Sequence, residues 1–153
     1  MIKVQIDDRD VMEALRRLQA AGADMGPAMA DIAQALASES ERQFQRQSGP
    51  TGPWPDLTES TKRTRARQGK WPGQMLQVSS AGLASSVQPG HDSHSAWIGT
   101  NKPYGTIHQF GGQAGRGRKS RIPARPYLPL HPETKELSAE AKTTIVEILN
   151  KHL

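Results

Sequence analysis

The 153-residue chain contains no cysteine, few aromatic residues and no long apolar run. Without cysteine it can form neither disulfides nor thiolate metal sites, which is compatible with a reducing compartment. No segment approaches the roughly 18 apolar residues that a membrane span requires, and the start of the sequence, MIKVQIDDRD, lacks the apolar core of a signal peptide. We therefore expect a soluble protein that has no membrane partner and is not exported by the common signal route.

Apolar side chains are scarce for a chain of this length. Hydrophobic residues make up 35% of the sequence and aromatic residues 5%, and the mean hydropathy is -0.67. The length is typical of one domain, so we expect a single domain over residues 1–153 with a lean core. Because 14 glycines and 11 prolines indicate long loops, we expect this domain to complete its stability by assembling into an oligomer.

Hydrophobic periodicity predicts an α+β fold, in which long helices pack on a small antiparallel β-sheet and extended loops connect them. Ile2, Val4 and Ile6 alternate with polar residues, which is typical of a half-buried strand. Asp7 or Asp8 is placed to cap the helix that follows.

Two further helices are predicted, one over about residues 26–47 and one over residues 134–153. Residues 48–75 form a long connection broken by glycine and proline, with a short helix that Thr58 can cap. Shorter elements follow: a helical turn over residues 81–85, a hairpin with Val87 ending one strand, PGHDS as the turn and Trp97 and Ile98 in the next strand, a helical turn over residues 104–110 that a glycine closes, and an extended stretch over residues 125–130.

The motifs predict no catalytic or cofactor site. The stretch GGQAGRGR, residues 111–118, is similar to a phosphate-binding loop, but it leads to prolines instead of a helix. His91 and His94 lie in a predicted turn without a third metal ligand. His108 has neither a nucleophile nor an orienting carboxylate at a meaningful spacing. We therefore predict no metal, no cofactor and no enzymatic activity.

Basic side chains form two clusters in a chain whose formal net charge is +5. Both clusters could bind DNA through phosphate contacts without sequence specificity. Neither has aromatic residues interleaved as in a single-strand binding platform. A solvated basic face, or salt bridges to a neighbouring subunit, explains them equally well. The clusters are Lys62, Arg63, Arg65, Arg67 and Lys70, and Arg116, Arg118, Lys119, Arg121 and Arg125.

Four motifs, in their order and spacing, resemble those of the phage virion morphogenesis proteins, the tail-completion family of Mu-like tailed phages. Gly105 stands where alanine is commoner in the family, and Ser80 and Ala81 replace a more usual threonine. The motifs are SGPTGPWPDLTEST at residues 48–61, MLQVSSAGLASSV at 75–87, IGTNKPYGTIHQFGG at 98–112 and IPARPYLPL at 122–130.

The resemblance implies a structural virion protein of the neck, where a finished tail meets a DNA-filled head. Such a protein is expected to form a ring, hexameric in this family, around the DNA channel. Its partners would be copies of itself, neighbouring neck and tail proteins, and double-stranded DNA bound without specificity. It would reside in the virion, and in the host cytoplasm during assembly. Whether the ring is a stopper, a connector or a tail terminator stays open.

A ring needs a heterologous interface between unlike patches of adjacent copies. We expect loop arms at about residues 48–75 and 111–126 to reach a neighbour or the channel, residues 113–120 being a mobile basic arm. The expected interface or loop anchors are Trp54, Trp71, Tyr104, His108, Phe110, Arg125 and Tyr127. The residues expected to face DNA are Arg116, Arg118, Lys119 and Arg121.

We expect specific hydrogen bonds for two residues that flank the second arm, His108 and Arg125. The half-buried His108 ring should be hydrogen-bonded beside Tyr104 and Phe110, and Arg125 should be held by an ion pair or by backbone carbonyls. The alternative to a ring protein is a basic nucleic-acid-binding domain that acts as a monomer or small oligomer.

Overall fold

The computed structural model describes residues 8–22, 24–77 and 82–153. In these ranges the chain forms helices and short antiparallel strand pairs, which confirms the predicted α+β class. The strand predicted at residues 2–6 lies outside the described residues. The helices are α1 (Arg9–Ala20), α2 (Gly26–Arg46), α3 (Glu59–Arg67), α4 (Leu83–Ser86), α5 (Gly105–Phe110) and α6 (Ala139–Lys151), and the paired strands are β1 (Ser48–Gly49) with β2 (Gly52–Pro53), β3 (Gln88–His91) with β4 (Ala96–Gly99), and β5 (Gly112–Ala114) with β6 (Ser120–Ile122).

The long helix α2 is the centre of the fold, with bounds close to those predicted. Pro27 occupies its first turn, where the missing N–H has no helical partner to lose. The helix ends where Gln47 adopts a left-handed conformation, with φ 50°. Its first half packs with α1 and α6, and its second half packs with the chain that follows α5. One helix therefore connects both parts of the core.

Side-chain caps set the starts of α1 and α6. Asp8 Oδ1 accepts hydrogen bonds from the backbone N–H groups of Asp10 and Val11, each at 3.1 Å. Asp8 is therefore the cap of α1, and it is one of the two residues predicted for that position. The helix α6 begins at Ala139, so its predicted start at residue 134 was wrong. Ser138 Oγ caps it, and residues 131–137 form a loop.

The apolar core has two clusters that meet at the half-buried Ile98 of β4. The first lies between α1, α2 and α6. The second lies between the end of α2, α4 and residues 127–130. The buried members of the first are Val11, Ala14, Leu18, Ala28, Met29, Ile32, Leu36, Leu137, Ala141, Ile145 and Leu149, and those of the second are Phe44, Trp54, Leu83, Tyr127, Leu128 and Leu130.

The β3–β4 hairpin is longer than predicted. Val87 does not end a strand, because β3 begins after it and contains Pro89 and Gly90, which pair with Ile98 and Trp97. The turn comprises residues 92–95 instead of PGHDS. It is closed by the Asp92 carboxylate, which accepts hydrogen bonds from the backbone N–H groups of the second and third residues after it.

Residues 125–130, the buried segment, are extended as predicted and lie in the interior. Pro126 and Pro129 lack the N–H that a strand ladder needs. In the described chain the segment has only an isolated bridge, from Leu130 to Leu137. Its remaining polar groups must therefore find other hydrogen-bond partners, because an unpaired buried carbonyl or N–H destabilises the fold.

Side chains of α2 and of the residues after it supply part of these partners. Gln43 Nε2 donates to the carbonyls of Pro126 and Leu128, at 3.1 and 2.9 Å. Ser40 Oγ donates to the Tyr127 carbonyl at 2.7 Å, and Trp54 Nε1 donates to the Pro126 carbonyl at 2.9 Å. Three side chains thus take the place of a neighbouring strand on one side of the buried segment.

Gln109 of α5 supplies the other side. Its Oε1 accepts hydrogen bonds from the backbone N–H groups of Tyr127 and Leu128, at 3.0 and 2.9 Å. Its Nε2 donates to the Leu130 carbonyl at 3.0 Å. One fully buried amide therefore makes three hydrogen bonds to the backbone of the buried segment.

We expect Gln109→Met to lower the free energy of unfolding by roughly 3 kcal/mol or more. The change keeps the side-chain volume similar but leaves two N–H groups and one carbonyl buried without partners, at about 1–3 kcal/mol each. Chemical denaturation measures the loss. Gln34→Met is the matched control, because this glutamine is exposed on α2 and the change there should stay within about 0.5 kcal/mol. Equal stability of the Gln109 variant and the wild type would contradict the assignment.

Candidate functional site

Arg125 joins two segments that are far apart in the sequence. Its Nε donates to the Pro55 carbonyl at 2.8 Å, and one terminal nitrogen donates to the Asp56 carbonyl at 3.0 Å. Its backbone N–H donates to the His108 carbonyl at 2.8 Å. Of the two arrangements predicted for this buried side chain, hydrogen bonds to carbonyls are therefore the one that occurs. We call these contacts the Arg125 clamp.

Helix α3 begins three residues beyond the clamp and has no buried residue. Thr58 caps it as predicted, with Oγ1 accepting from the Thr61 N–H at 3.3 Å. A nine-residue helix without a buried face is marginal in water. This part of the arm at residues 48–75 is therefore a polar element on the surface of the domain.

The first basic cluster divides between the two sides of α3. Lys62 Nζ lies 2.7 Å from an Asp56 carboxylate oxygen and 5.5 Å from the centre of the half-buried Trp71 ring. The hydrogen bond between Lys62 and Asp56 raises the pKa of Lys62 and lowers that of Asp56. Arg63 and Arg67 are exposed on the other side and form no ion pair with any described residue.

The second arm forms a β-hairpin, so the expectation of an irregular loop at residues 113–120 was wrong. Gln113 pairs with Arg121 and Ala114 pairs with Ser120, because the chain reverses through a 3-10 turn in which Gly117 has φ 68°. Its cations are exposed, and none has an ion-pair partner in the described ranges. They are Arg116, Arg118, Lys119 and Arg121.

His108, Tyr104 and Phe110 lie at the base of this hairpin. Gly111 ends α5 with φ 72°, as predicted, and the strand β5 begins directly after it. The Tyr104 ring is 41% exposed and meets the His108 ring edge-on at 6.0 Å between centroids. Phe110 is half-buried beneath Lys135 Nζ, which lies 5.6 Å from its ring centre.

His108 is half-buried as predicted, but its expected hydrogen bond is missing at Nδ1. This nitrogen is buried and has no partner among the described residues. Burial lowers the pKa of His108, and the nearby Arg125 guanidinium lowers it further. Protonation would place a second cation beside Arg125, so the neutral ring is the form that this environment favours.

Trp54 and Tyr127 are buried in their own chain, so they do not present rings to a neighbour's pocket. Phe44 stacks on Tyr127 at 5.3 Å between centroids and meets Trp54 edge-on at 5.8 Å. Tyr127 Oη donates to the Gly105 carbonyl at 2.9 Å, and burial raises the pKa of the phenol. Both rings hold the two arms to the core because they pack in the second apolar cluster.

Trp97 is an exposed aromatic residue that was not predicted as a site residue from the sequence. It lies on β4 across from Gly90 and is 39% exposed, whereas its neighbours Ala96 and Ile98 pack against the core. A Cβ atom on Gly90 would lie 2.3 Å from the Trp97 indole nitrogen, so the ring lies over this glycine. The sequence contained a signal for this exposure, because Trp97 lies between Ala96 and Ile98 in a strand and neighbouring side chains of a strand point to opposite faces.

The described part of the chain has neither a metal-binding cluster nor a membrane-spanning helix. No three acidic or histidine side chains lie close enough together there to share a metal ion. None of the described helices has the length and apolarity needed to cross a membrane.

Comparison with known proteins points to tailed-phage assembly. The profile described as "Phage virion morphogenesis family" matches residues 6–153. The chain is 37% identical over 134 residues to "Mu-like prophage FluMu G protein 2" of Haemophilus influenzae, covering 87% of each chain. It is 35% identical over 132 residues to "Putative capsid assembly protein G" of Escherichia phage Mu, covering 80% of this chain and 84% of that protein. No solved structure matches the chain significantly.

The His108 environment predicts a pH dependence of stability. The folded chain holds the pKa of His108 below its ordinary value of 6.5, so the unfolded chain binds a proton first as the pH falls. The contribution of neutral His108 to the free energy of unfolding is fully present above pH 6.5. It is lost as the pH decreases from there towards the lowered pKa of the folded chain. We expect the free energy of unfolding to decline between about pH 7 and pH 5.

Denaturation curves of His108→Gln across this range should show a flatter pH dependence than those of the wild type. His91→Gln is the control, because His91 is exposed on β3, and it should keep the wild-type slope. An unchanged slope in His108→Gln would contradict the assignment.

Proposed function

The chain belongs to the phage virion morphogenesis family and so has a phage structural or assembly role, and we propose that it forms a ring at the head-tail neck. In this proposal, copies of the chain surround the DNA channel, complete the tail and join it to the head. The ring is hexameric and contacts neighbouring neck and tail proteins. The protein acts by binding and not by catalysis.

The observation that carries the ring is the exposure of two aromatic side chains in a chain that has so few. Trp97 is 39% exposed and Tyr104 is 41% exposed. Aromatic residues are enriched at the centres of protein interfaces, where they contribute much of the binding energy. Trp71 and Phe110, each half-buried beside a lysine, extend the set of candidate contacts.

A closed ring follows if unlike patches of adjacent copies meet. The β3–β4 hairpin carries Trp97, whereas Tyr104 precedes α5, so the two aromatic residues lie on different elements. This arrangement suits a heterologous contact, in which one copy's aromatic residue packs against another element of the next copy. The alternative, a basic nucleic-acid-binding domain that acts as a monomer, requires no such contact.

We expect the purified protein to form an oligomer without DNA, with the mass of six 16.7 kDa chains. Tyr104→Ser should raise the dissociation constant of this oligomer about 30-fold, which corresponds to about 2 kcal/mol for an interface hot spot. Native mass spectrometry and sedimentation measure both. Leu153→Ser is the matched control, because Leu153 is also an exposed apolar side chain, at 55%. A chain that stays monomeric at every concentration rules out the ring.

Particles assembled without the protein test its place in the neck. Tailless heads beside free tails of normal length are expected if the ring joins the two, whereas overlong tails are expected if it terminates tail growth. Electron microscopy of lysates distinguishes these outcomes, and complementation with the wild-type chain is the control. Complete particles of normal yield contradict the proposal.

A further inference from the structure

The charges of this chain are separated along the sequence. Residues 60–132 contain eleven of the twenty lysines and arginines but only one of the fifteen acidic residues, Asp92. Eleven positive charges and one negative charge give this segment a formal charge of +10, and the nine positive and fourteen negative charges elsewhere give −5. The helices α1, α2 and α6 lie outside this segment and have no net charge together, since they carry seven basic and seven acidic residues. The arms are basic.

The Arg125 clamp brings the two basic clusters to one place. It holds the Pro55 and Asp56 carbonyls, and α3 starts three residues later at Glu59. On its other side, β6 ends at Ile122, three residues before Arg125. The α3 helix and the β5–β6 hairpin therefore start from a common point. The lowering of the Arg125 pKa by burial, and then by Arg65 of α3, is consistent with this closeness.

Cations of the two elements that face the solvent are free to bind. Arg63 and Arg67 are four residues apart on α3, so they lie on one face of the helix. Lys62 and Arg65, on the opposite face, are engaged with Asp56 and with the Gln74 carbonyl. We call the exposed cations without ion pairs the basic surface: Arg63, Arg67, Arg116, Arg118, Lys119 and Arg121.

The chemistry of the basic surface fits phosphates better than a protein partner. The exposed positions of α3 and of the hairpin carry only polar, charged, glycine and alanine residues. A protein interface needs an apolar centre with large side chains, and here the exposed aromatic residues Trp97 and Tyr104 lie on other elements. Duplex DNA presents about one negative charge per 1.7 Å of its axis, so cations spread along a helix of roughly 13 Å and an adjacent hairpin can contact several phosphates at once.

We propose that the outer face of α3 and the β5–β6 hairpin form one surface that binds the phosphate backbone of double-stranded DNA without sequence specificity. The strand pairing of the hairpin restricts the positions of its cations before DNA arrives, which lowers the entropy lost on binding. The helices α1, α2 and α6 have no net charge, so they add no net attraction for phosphates and leave that contact to the arms. That this surface contacts DNA inside a channel rests on the proposed ring. DNA binding by the surface itself requires only the single chain.

The test is a salt titration of the purified 153-residue chain with a fluorescently labelled 30-base-pair duplex of mixed sequence. Fluorescence anisotropy gives the dissociation constant between about 50 and 200 mM salt, where phosphate contacts produce a linear log–log dependence. If the six cations contribute equally, the triple variant Arg116→Gln, Arg118→Gln, Arg121→Gln should lose about half of the slope. The double variant Arg63→Gln, Arg67→Gln should lose about a third.

The matched control removes two positive charges, as the α3 variant does, from the three-helix part of the fold. Arg9→Gln with Lys151→Gln changes two exposed cations of α1 and α6, and it should leave the slope unchanged. If the control lowers the slope of the salt dependence as much as the α3 variant does, DNA binding depends on the net charge of the chain and not on the basic surface, and the proposal is wrong. Absence of binding at 50 mM salt would also overturn the proposal, as would an effect of only one of the two elements.

Oligomeric mass, measured on the same variants, separates this proposal from the ring. We expect the charge variants to keep the wild-type mass while their DNA binding weakens. Variants that lose the oligomer but bind DNA as the wild type does would assign the basic surface to a subunit contact and overturn its role in DNA binding. A monomeric wild type that binds DNA with the expected slope would instead overturn the ring and leave this inference standing.

Discussion

The backbone of residues 125–130 lies in the interior without a continuous strand partner, and the rest of the molecule is arranged to satisfy its hydrogen bonds. Two prolines make a regular ladder impossible there. Gln43 from α2 and Gln109 from α5 supply amide groups on either side, and Ser40 and Trp54 complete the set. Because buried amides and carbonyls without partners destabilise a fold, these side chains fix the positions of α2, α5 and the loop after β2 relative to one another.

The arms depend on the same segment. Arg125 opens it and holds the start of the first arm through two carbonyls, while the β5–β6 hairpin leads directly into it. Trp54 and Tyr127 pack against Phe44 at its centre. A rigid buried strip thus supports two polar, positively charged elements that have little core of their own. This explains how a chain with a lean core can carry long surface elements in a defined arrangement.

The proposed roles divide between surfaces of different chemistry. Exposed aromatic residues on β4 and before α5 are suited to contacts between copies of the chain, whereas the exposed positions of α3 and the hairpin carry cations and no large apolar side chain. A ring that encloses DNA needs both kinds of surface, because its subunits must bind one another without competing with phosphates for the same residues. The concentration of net positive charge in the arms serves this division, since α1, α2 and α6 together carry no net charge.

The sequence determined the local features of this protein. The bounds of α2, a cap at Asp7 or Asp8, the cap Thr58, the glycine that ends α5 and the extended conformation of residues 125–130 all followed from periodicity and short-range chemistry. The four motifs were sufficient to indicate the family. The start of α6, the extent of β3 and the strand pairing of the second arm were not predicted correctly, because local patterns leave helix starts and turn positions loosely specified.

Only the tertiary structure decided which side chains became partners. The contacts from Gln43 to the buried segment connect residues more than 80 positions apart, and the clamp connects Arg125 to carbonyls some 70 positions away. The sequence alone does not distinguish a glutamine that hydrogen-bonds to buried backbone groups from a glutamine that faces water. Its role depends on what the fold places opposite it, and that is set by the packing of the whole chain.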